Sequence, residues 1–320
     1  MYCICNIFFL HFICKILYNI FVYIDFYDGG NILSADLHCH TRLSDGSLGI
    51  EELILLAQRS GIDTIAITDH DCLAGTVRGK IIGERHGVNV IPGVELSAYD
   101  TEHDKRVHIL CYLAENPDRL EGLCKKTSLS RRKASQLMMV KTAQRYPIWS
   151  DLVIKCAAGS TNIYKQHIMH ALMECGYTTS IFGDLYDELF SSKSPDNILV
   201  TPSFPTPIEV LDAIHEAGGI AILAHPGFYD NFDIIDELIE HELDGIEVWQ
   251  QSHLIKVLCR PIAVSGSGNV LTPQEGLLRG VFASETLHTG YVLDGKDFVP
   301  AAEKGCFLSP FRAYLRAYAE

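Results

Sequence analysis

Residues Ser34–Ser47 read SADLHCHTRLSDGS. Two histidines flank one cysteine at the mouth of an apolar run, and Asp45-Gly46 follows five residues beyond the second histidine. Alternate side chains of a β-strand share a face. On that rule Asp36, His38 and His40 fall on one side, and Ala35, Leu37 and Cys39 on the other. Three polar groups in a row on one face of a buried strand need partners. Two imidazoles spaced two apart on a strand can both reach one metal ion, whereas a satisfied core histidine is the plainer reading of either one alone.

The same arrangement recurs along the chain. ADLHCHT is followed by IEELILLAQRSG, whose apolar residues Ile50, Leu53, Ile54 and Ala57 keep a helical period, with Gly61 suited to the cap. DTIAITDHD reads as a second strand, TVRGKIIGERHG as a second helix, and VNVIPGVELSAY and RVHILCYLA as strands three and four. TPIEVLDAIHEAGG opens with Thr206 as cap, Pro207 in the first turn and Glu209 in the capping-box position. IAILAHPG, FDIIDELIEHEL and DGIEVW then supply strand, helix and strand. Alternation of strand and helix with continuous apolar strands predicts parallel pairing, covered on both faces or closed into a barrel. Barrel enzymes gather their chemistry at the C-terminal strand ends. His38 and His40, then Asp69, His70 and Asp71, then Glu95, His108 and His225 come from separate strands and would meet at one rim.

Between 116 and 205 helical patterns dominate, as in SLSRRKASQLMMVKTAQ and IYKQHIMHALMECG, and predict a helical insertion that separates a first barrel part, 33–115, from a second, 206–250. Residues 251–320 form an atypical C-terminal segment. Residues 1–32 form an apolar extension. Its run Ile7–Ile24 is close to the minimum length of a membrane-spanning helix, but Lys15 sits inside it, at a cost of roughly 2.5–3.5 kcal/mol on insertion scales. The run fits a membrane anchor through residues 7–24, an added amphipathic helix, or sequence read from a wrong start.

A chain of 320 residues with 48% hydrophobic and 21% charged residues is a globular composition. A net charge of −14 speaks against a broad phosphate-neutralising surface, so duplex DNA binding is not expected. The eleven cysteines show no CxxC spacing and read as reduced thiols of a cytoplasmic protein.

Imidazoles mixed with carboxylates suit borderline divalent cations such as Mn, Zn or Fe. The donors are too many for one tetrahedral ion, so two or three ions are implied, with Glu95 as bridge. Clustered ions of this kind bind phosphate oxygens, generate hydroxide and stabilise a leaving oxygen.

DLHCHTRLSDG, ITDHD, IPGVELS, VHILCYL and GGIAILAHPG…DGIEVW, in that order, resemble the motifs of the PHP (polymerase and histidinol phosphatase) family, and most of all its TrpH-like phosphoesterases. The resemblance spans roughly Ala35 to Trp249. It implies a distorted (β/α)7 TIM-like barrel with a three-metal cleft. By motif, His38, His40 and Glu95 would hold one ion, Glu95, His108 and His225 a second, and Asp45 and His70 a third. It further implies a phosphoesterase that uses metal-activated hydroxide on small phosphorylated substrates. These would be 3′,5′-nucleoside bisphosphates or short oligoribonucleotides trimmed from the 5′ end. Histidinol phosphate hydrolysis and a catalytically impaired scaffold are the alternatives. The branch carries an Arg-Pro-His turn where this chain has Lys165, Gln166 and His167. Lys165, His167, Arg131 and Arg132 are accordingly candidates for substrate phosphate, although a solvated helix face accounts equally well for the two arginines. The family's final Ser-Asp-x-His-Gly motif is absent. Its nearest echo, SETLHTG, offers Glu285 and His288 as substitute ligands, and a shift of reading frame after Trp249 would account for the loss.

Overall fold

The computed structural model describes residues 35–247, together with the backbone of a two-stranded hairpin at Tyr291–Asp294 and Asp297–Pro300. A six-stranded sheet organises the described chain. It comprises β1 (Ala35–Cys39), β2 (Thr64–Ile67), β3 (Asn89–Asp100), β4 (Lys105–Tyr112), β5 (Ile220–Leu223) and β6 (Gly245–Ile246), hydrogen-bonded in that order. β1 and β6 are the outer strands. Yet His38 on β1 lies 3.2 Å from Glu247, one residue past β6. Two edges with four strands between them can touch only if the sheet curls, and the result is a mixed α/β fold around a curled half-barrel.

The pairing departs from the all-parallel expectation. β1, β2 and β3 are mutually parallel, and so are β5 and β6, but β4 is antiparallel to both β3 and β5. The cause is the link at 101–104. Four residues can turn a hairpin, whereas a parallel crossover needs about a dozen or more. As a result β4 brings the early part of its length to the rim where the parallel strands end, and His108 arrives there from the opposite direction.

The strict alternation expected on β1 also fails. Asp36 pairs with Ile65 and Cys39 with Ile67, so Leu37 and His38 together face Ala66. This bulge takes Asp36 out of phase with His38. Leu37 turns into the apolar interior of the curl with Ala66, Ile91, Leu110 and Ile222. Tyr112, fully buried there, donates its phenol to the Leu37 carbonyl at 2.6 Å.

Helices cover the outer face. α1 (Ile50–Arg59) buries Ile50, Leu53, Ile54 and Ala57, as its period predicts, against Ile65 and Ile67. α2 (Thr76–His86) lies beside it. After β4 come a 3₁₀ turn at Pro117–Leu120, then α3 (Glu121–Arg145), α4 (Ser150–Cys156), α5 (Lys165–Glu174) and α6 (Asp184–Phe190). These helices share an apolar cluster of their own, including Met138, Ile168, Leu172, Leu189 and Phe190. α7 (Pro207–Glu216) starts with the predicted capping box: the Glu209 amide donates to Thr206 Oγ1, and the Thr206 amide to Glu209 Oε2. It buries Val210, Leu211 and Ile214 against β3–β5. Two short helices, α8 (Pro226–Tyr229) and α9 (Ile235–Glu240), lead from β5 to β6.

α2 approaches the sheet closely because glycines occupy its inner face. A methyl group on Gly83 would stand 2.5 Å from the Val88 carbonyl oxygen and 2.5 Å from Val90 Cγ2. Backbone cannot yield there as a flexible side-chain tip would. Gly83→Ala is therefore expected to lower unfolding free energy by about 1–3 kcal/mol through overpacking, measurable as a lower urea midpoint. An unchanged midpoint would show that α2 can shift freely on the sheet.

Candidate metal centre

Strand ends and the turns behind them set each functional side chain. His38 is the last ring donor inside β1, and His40 opens the following loop. That loop is held by Asp69, which accepts from the Thr41 amide at 2.7 Å, Thr41 Oγ1 at 2.7 Å and Ser44 Oγ at 2.6 Å. Asp45 sits at its tip. His70 follows β2 and bridges in parallel to Glu95 in β3. Asp71 turns the other way at φ +50° and accepts from the Ser97 amide and hydroxyl. His225, just past β5, adopts φ +30°, a left-handed conformation costly for any residue with a Cβ. A hydrogen bond from its amide to Glu247 Oε2, 2.6 Å, fixes it there.

Glu95 is the point on which these groups converge, and it is fully buried. Its Oε2 lies 3.3 Å from His38 Nε2, 3.2 Å from His40 Nε2 and 2.9 Å from His70 Nδ1. Its Oε1 lies 2.8 Å from both His108 Nδ1 and His225 Nε2. Asp45 faces His40 and His70 at 3.5 Å each. The sets His38–Glu95–His225 and His40–His70–Glu95 each bring three donor atoms within 4.8 Å of one another. Asp36, by contrast, stays outside the cluster, with its Oδ1 on the His38 amide at 3.2 Å.

The donor set fits divalent cations better than it fits itself. His38 Nε2 and His40 Nε2 stand 3.1 Å apart, as do His108 Nδ1 and His225 Nε2 at 3.2 Å, so in each pair one ring must turn a proton or a lone pair on the other. Glu95 Oε2, His70 Nδ1 and His225 Nδ1 are buried and take part in no hydrogen bond among the described residues. A cation would satisfy such atoms together.

The local charges say the same. Burial pushes the Glu95 carboxyl up, but His70, His108 and His38 hold it well below the usual carboxylate range. Burial opposes charge on His70, yet Glu95 and Asp45 raise it to about 10. His108 goes the other way, to about 3, because burial outweighs its share of Glu95. Burial raises Asp36 to about 7. Bound metal would displace the protons that His38 and His70 hold against Glu95.

Glu247 has a role that the sequence reading did not assign, although DGIEVW was part of the motif. It contacts His38 Nδ1 at 3.2 Å through Oε1 and the His225 amide through Oε2, so it orients two candidate ligands from behind. Gln166 likewise donates to Asp45 Oδ2 at 2.8 Å. A short strand end carrying one acid gives little signal by itself.

The substrate candidates separate in space. Arg131 lies against the cleft, paired with Asp71 at 2.7 Å and flanked by the rings of Tyr164 and Phe204. Lys165 lines the same cleft over Tyr186 and Phe190. Arg132 is exposed on α3. His167 uses Nδ1 to accept from the Tyr164 amide at 3.0 Å, at the start of α5. Glu285, His288 and the apolar run at residues 7–24 lie outside the described residues. Among the described residues, no helix is long and apolar enough to cross a membrane.

A family model described as PHP domain matches residues 36–170. Phosphoribosyl 1,2-cyclic phosphate 1,2-diphosphodiesterase from Eggerthella lenta is 35% identical over 237 residues, 72% of this chain and 88% of that one. The 5′-3′ exoribonuclease Rnm of Escherichia coli is 30% identical over 222 residues, 67% of this chain and 74% of its own. Among solved structures, a protein from Bifidobacterium adolescentis provisionally described as a metal-dependent phosphoesterase superposes with a TM-score of 0.67. It covers 91% of this chain and 99% of its own at 24% identity, a likeness of fold.

Glu247→Gln keeps the shape of the side chain but weakens its hold on His38. Divalent-metal affinity is expected to fall about 10–100-fold, as for other groups that orient metal ligands from behind. Calorimetric titration of the metal-stripped protein measures this, and an unchanged affinity would remove Glu247 from the account.

Proposed function

The chain belongs to the PHP family, and from that premise we propose that it is a metal-dependent phosphoesterase acting on phosphorylated ribose compounds. The observation that carries this reading is the convergence of five imidazoles, from β1, β2, β4, β5 and the turns beyond them, on Glu95 of β3. His38, His40, Asp45, His70, Glu95, His108 and His225 would hold two or three Mn, Zn or Fe ions. When bound, such ions supply Lewis acidity and a water of lowered pKa. The protein's own part is to fix the ligands, shield them from bulk water and position the substrate. Arg131, held by Asp71 and Ser97, gives the cleft a rigid guanidinium. α3, α5 and α6 wall the site opposite the strands, and we take residues 116–205 to be an insertion serving that purpose. We also take the curled sheet to be the larger part of a (β/α)7 barrel.

Two substrate readings follow from the relatives. The first is phosphate release from a 3′,5′-nucleoside bisphosphate, or trimming of a short oligoribonucleotide, supported by likeness to the exoribonuclease. The second is hydrolysis of a phosphoribosyl cyclic phosphate, supported by the higher identity to the diphosphodiesterase over most of its length. We also take the protein to be cytoplasmic, a reading that rests on eleven cysteines without CxxC spacing.

With Mn added, the unaltered protein is expected to hydrolyse at least one of these substrates. Glu95→Ala should lower kcat/KM by about a thousandfold or more, since metal chemistry is worth several kcal/mol. Phosphate release measured across the panel decides it. Equal turnover by Glu95→Ala would refute the assigned role, and a chain that binds no metal and hydrolyses nothing would be a scaffold.

A further inference from the structure

The charge on α3 is unbalanced. From Gly122 to Ser150 the chain holds seven lysines and arginines and no acid, although acids outnumber these cations 40 to 26 overall. Arg131 turns inward to Asp71, and Arg145 donates to the Asp196 carbonyl. The other five, Lys125, Lys126, Arg132, Lys133 and Lys141, are exposed, and among the described residues none of them pairs with an acid. Leu129, Leu137 and Val140 lie among them, each about half exposed. At about 100° per residue these eight side chains occupy one half of the helix circumference. Arg131, Ser135 and Met138, which line the cleft, fall on the opposite half. Trp149, 79% exposed, caps the start of α4 just past the end of this helix.

We propose that this face docks the protein on an anionic lipid surface, with α3 lying flat along it. Like charges crowded on one helix face repel one another until an anionic partner joins them. Aliphatic side chains exposed among them stay in water until something covers them. Anionic headgroups meet the five cations, and Leu129, Leu137 and Val140 reach the acyl boundary. The lysine and arginine stems extend back to the headgroups. Each cation held at such a surface is worth about fivefold in affinity. RNA would also meet the cations, but it engages side chains through phosphates and stacked bases, and three aliphatics offer no plane for stacking. A convex helix face likewise suits a flat surface better than a peptide, which docks in a groove or along a strand edge. Because the cleft opens on the other side of α3, substrate still reaches it from water. The inference goes beyond the phosphoesterase reading and does not depend on it.

The test is co-sedimentation of the full chain with vesicles of phosphatidylcholine alone and of phosphatidylcholine mixed with phosphatidylglycerol. The unaltered protein is expected to partition onto the mixed vesicles, and to leave them as salt is raised, because salt screens the attraction. Replacing Lys125, Lys126 and Lys133 together by Gln should weaken partitioning about 100-fold, at about fivefold per charge. Leu137→Ala combined with Val140→Ala should weaken it about fivefold through lost apolar burial. All five positions are exposed, so the variants should keep the unfolding midpoint of the unaltered chain. Equal partitioning onto neutral and mixed vesicles would overturn the proposal, since contact elsewhere, such as through residues 7–24, would then account for it. Undiminished partitioning by the triple Gln variant would overturn it too, as would no partitioning at all. A ribo-oligonucleotide bound by the unaltered chain and released by the triple variant, with no partitioning onto either vesicle, would assign the face to nucleic acid instead.

Discussion

Glu95 is a carboxylate fully buried from solvent. Leaving such a charge buried alone would cost far more than the few kcal/mol by which proteins are stable. Its two oxygens are instead ringed by five imidazoles from four separate stretches of chain. That single constraint explains why polar residues interrupt strands that otherwise read as apolar. It also explains why a strained backbone is kept at His225, where a relaxed one would aim the ring elsewhere.

Three features of the sheet make the convergence possible. The bulge in β1 turns His38 and His40 inward while Leu37 still fills the interior. The hairpin between β3 and β4 reverses one strand, so that His108 meets the ends of strands running the other way. The curl brings β1 and β6 together, and Glu247 locks that closure by holding His38 on one edge and the amide of His225 near the other. Packing, topology and site are therefore one arrangement. The same rim continues along β4 to Arg106 and across to α5, which line the cleft beside it.

Much of this was legible in the residues. The helical period of α1, the capping box of α7 and the candidate ligands from His38 to His225 all come from local pattern, and local pattern survives folding. What was not legible depends on partners far along the chain. The reversed β4 follows from a four-residue link whose shortness outweighs the strand-helix rhythm. The phase of Asp36 follows from a bulge that only pairing with Ile65 and Ile67 reveals. Glu247 and Arg106 are single charges at strand positions, with no neighbouring motif to mark them. Arg131 and Arg132 are adjacent in sequence, but a helix turn sends one to Asp71 and the cleft and leaves the other exposed.

The central claim is that these donors share cations, and anomalous diffraction from crystals grown with Mn or Zn tests it most directly. The account predicts peaks flanking Glu95, each about 2.0–2.3 Å from its ring nitrogens and carboxylate oxygens, one among His38, Glu95 and His225 and another among His40, His70 and Glu95. Peaks elsewhere, or rings that turn away from Glu95 with no cation between them, would contradict it.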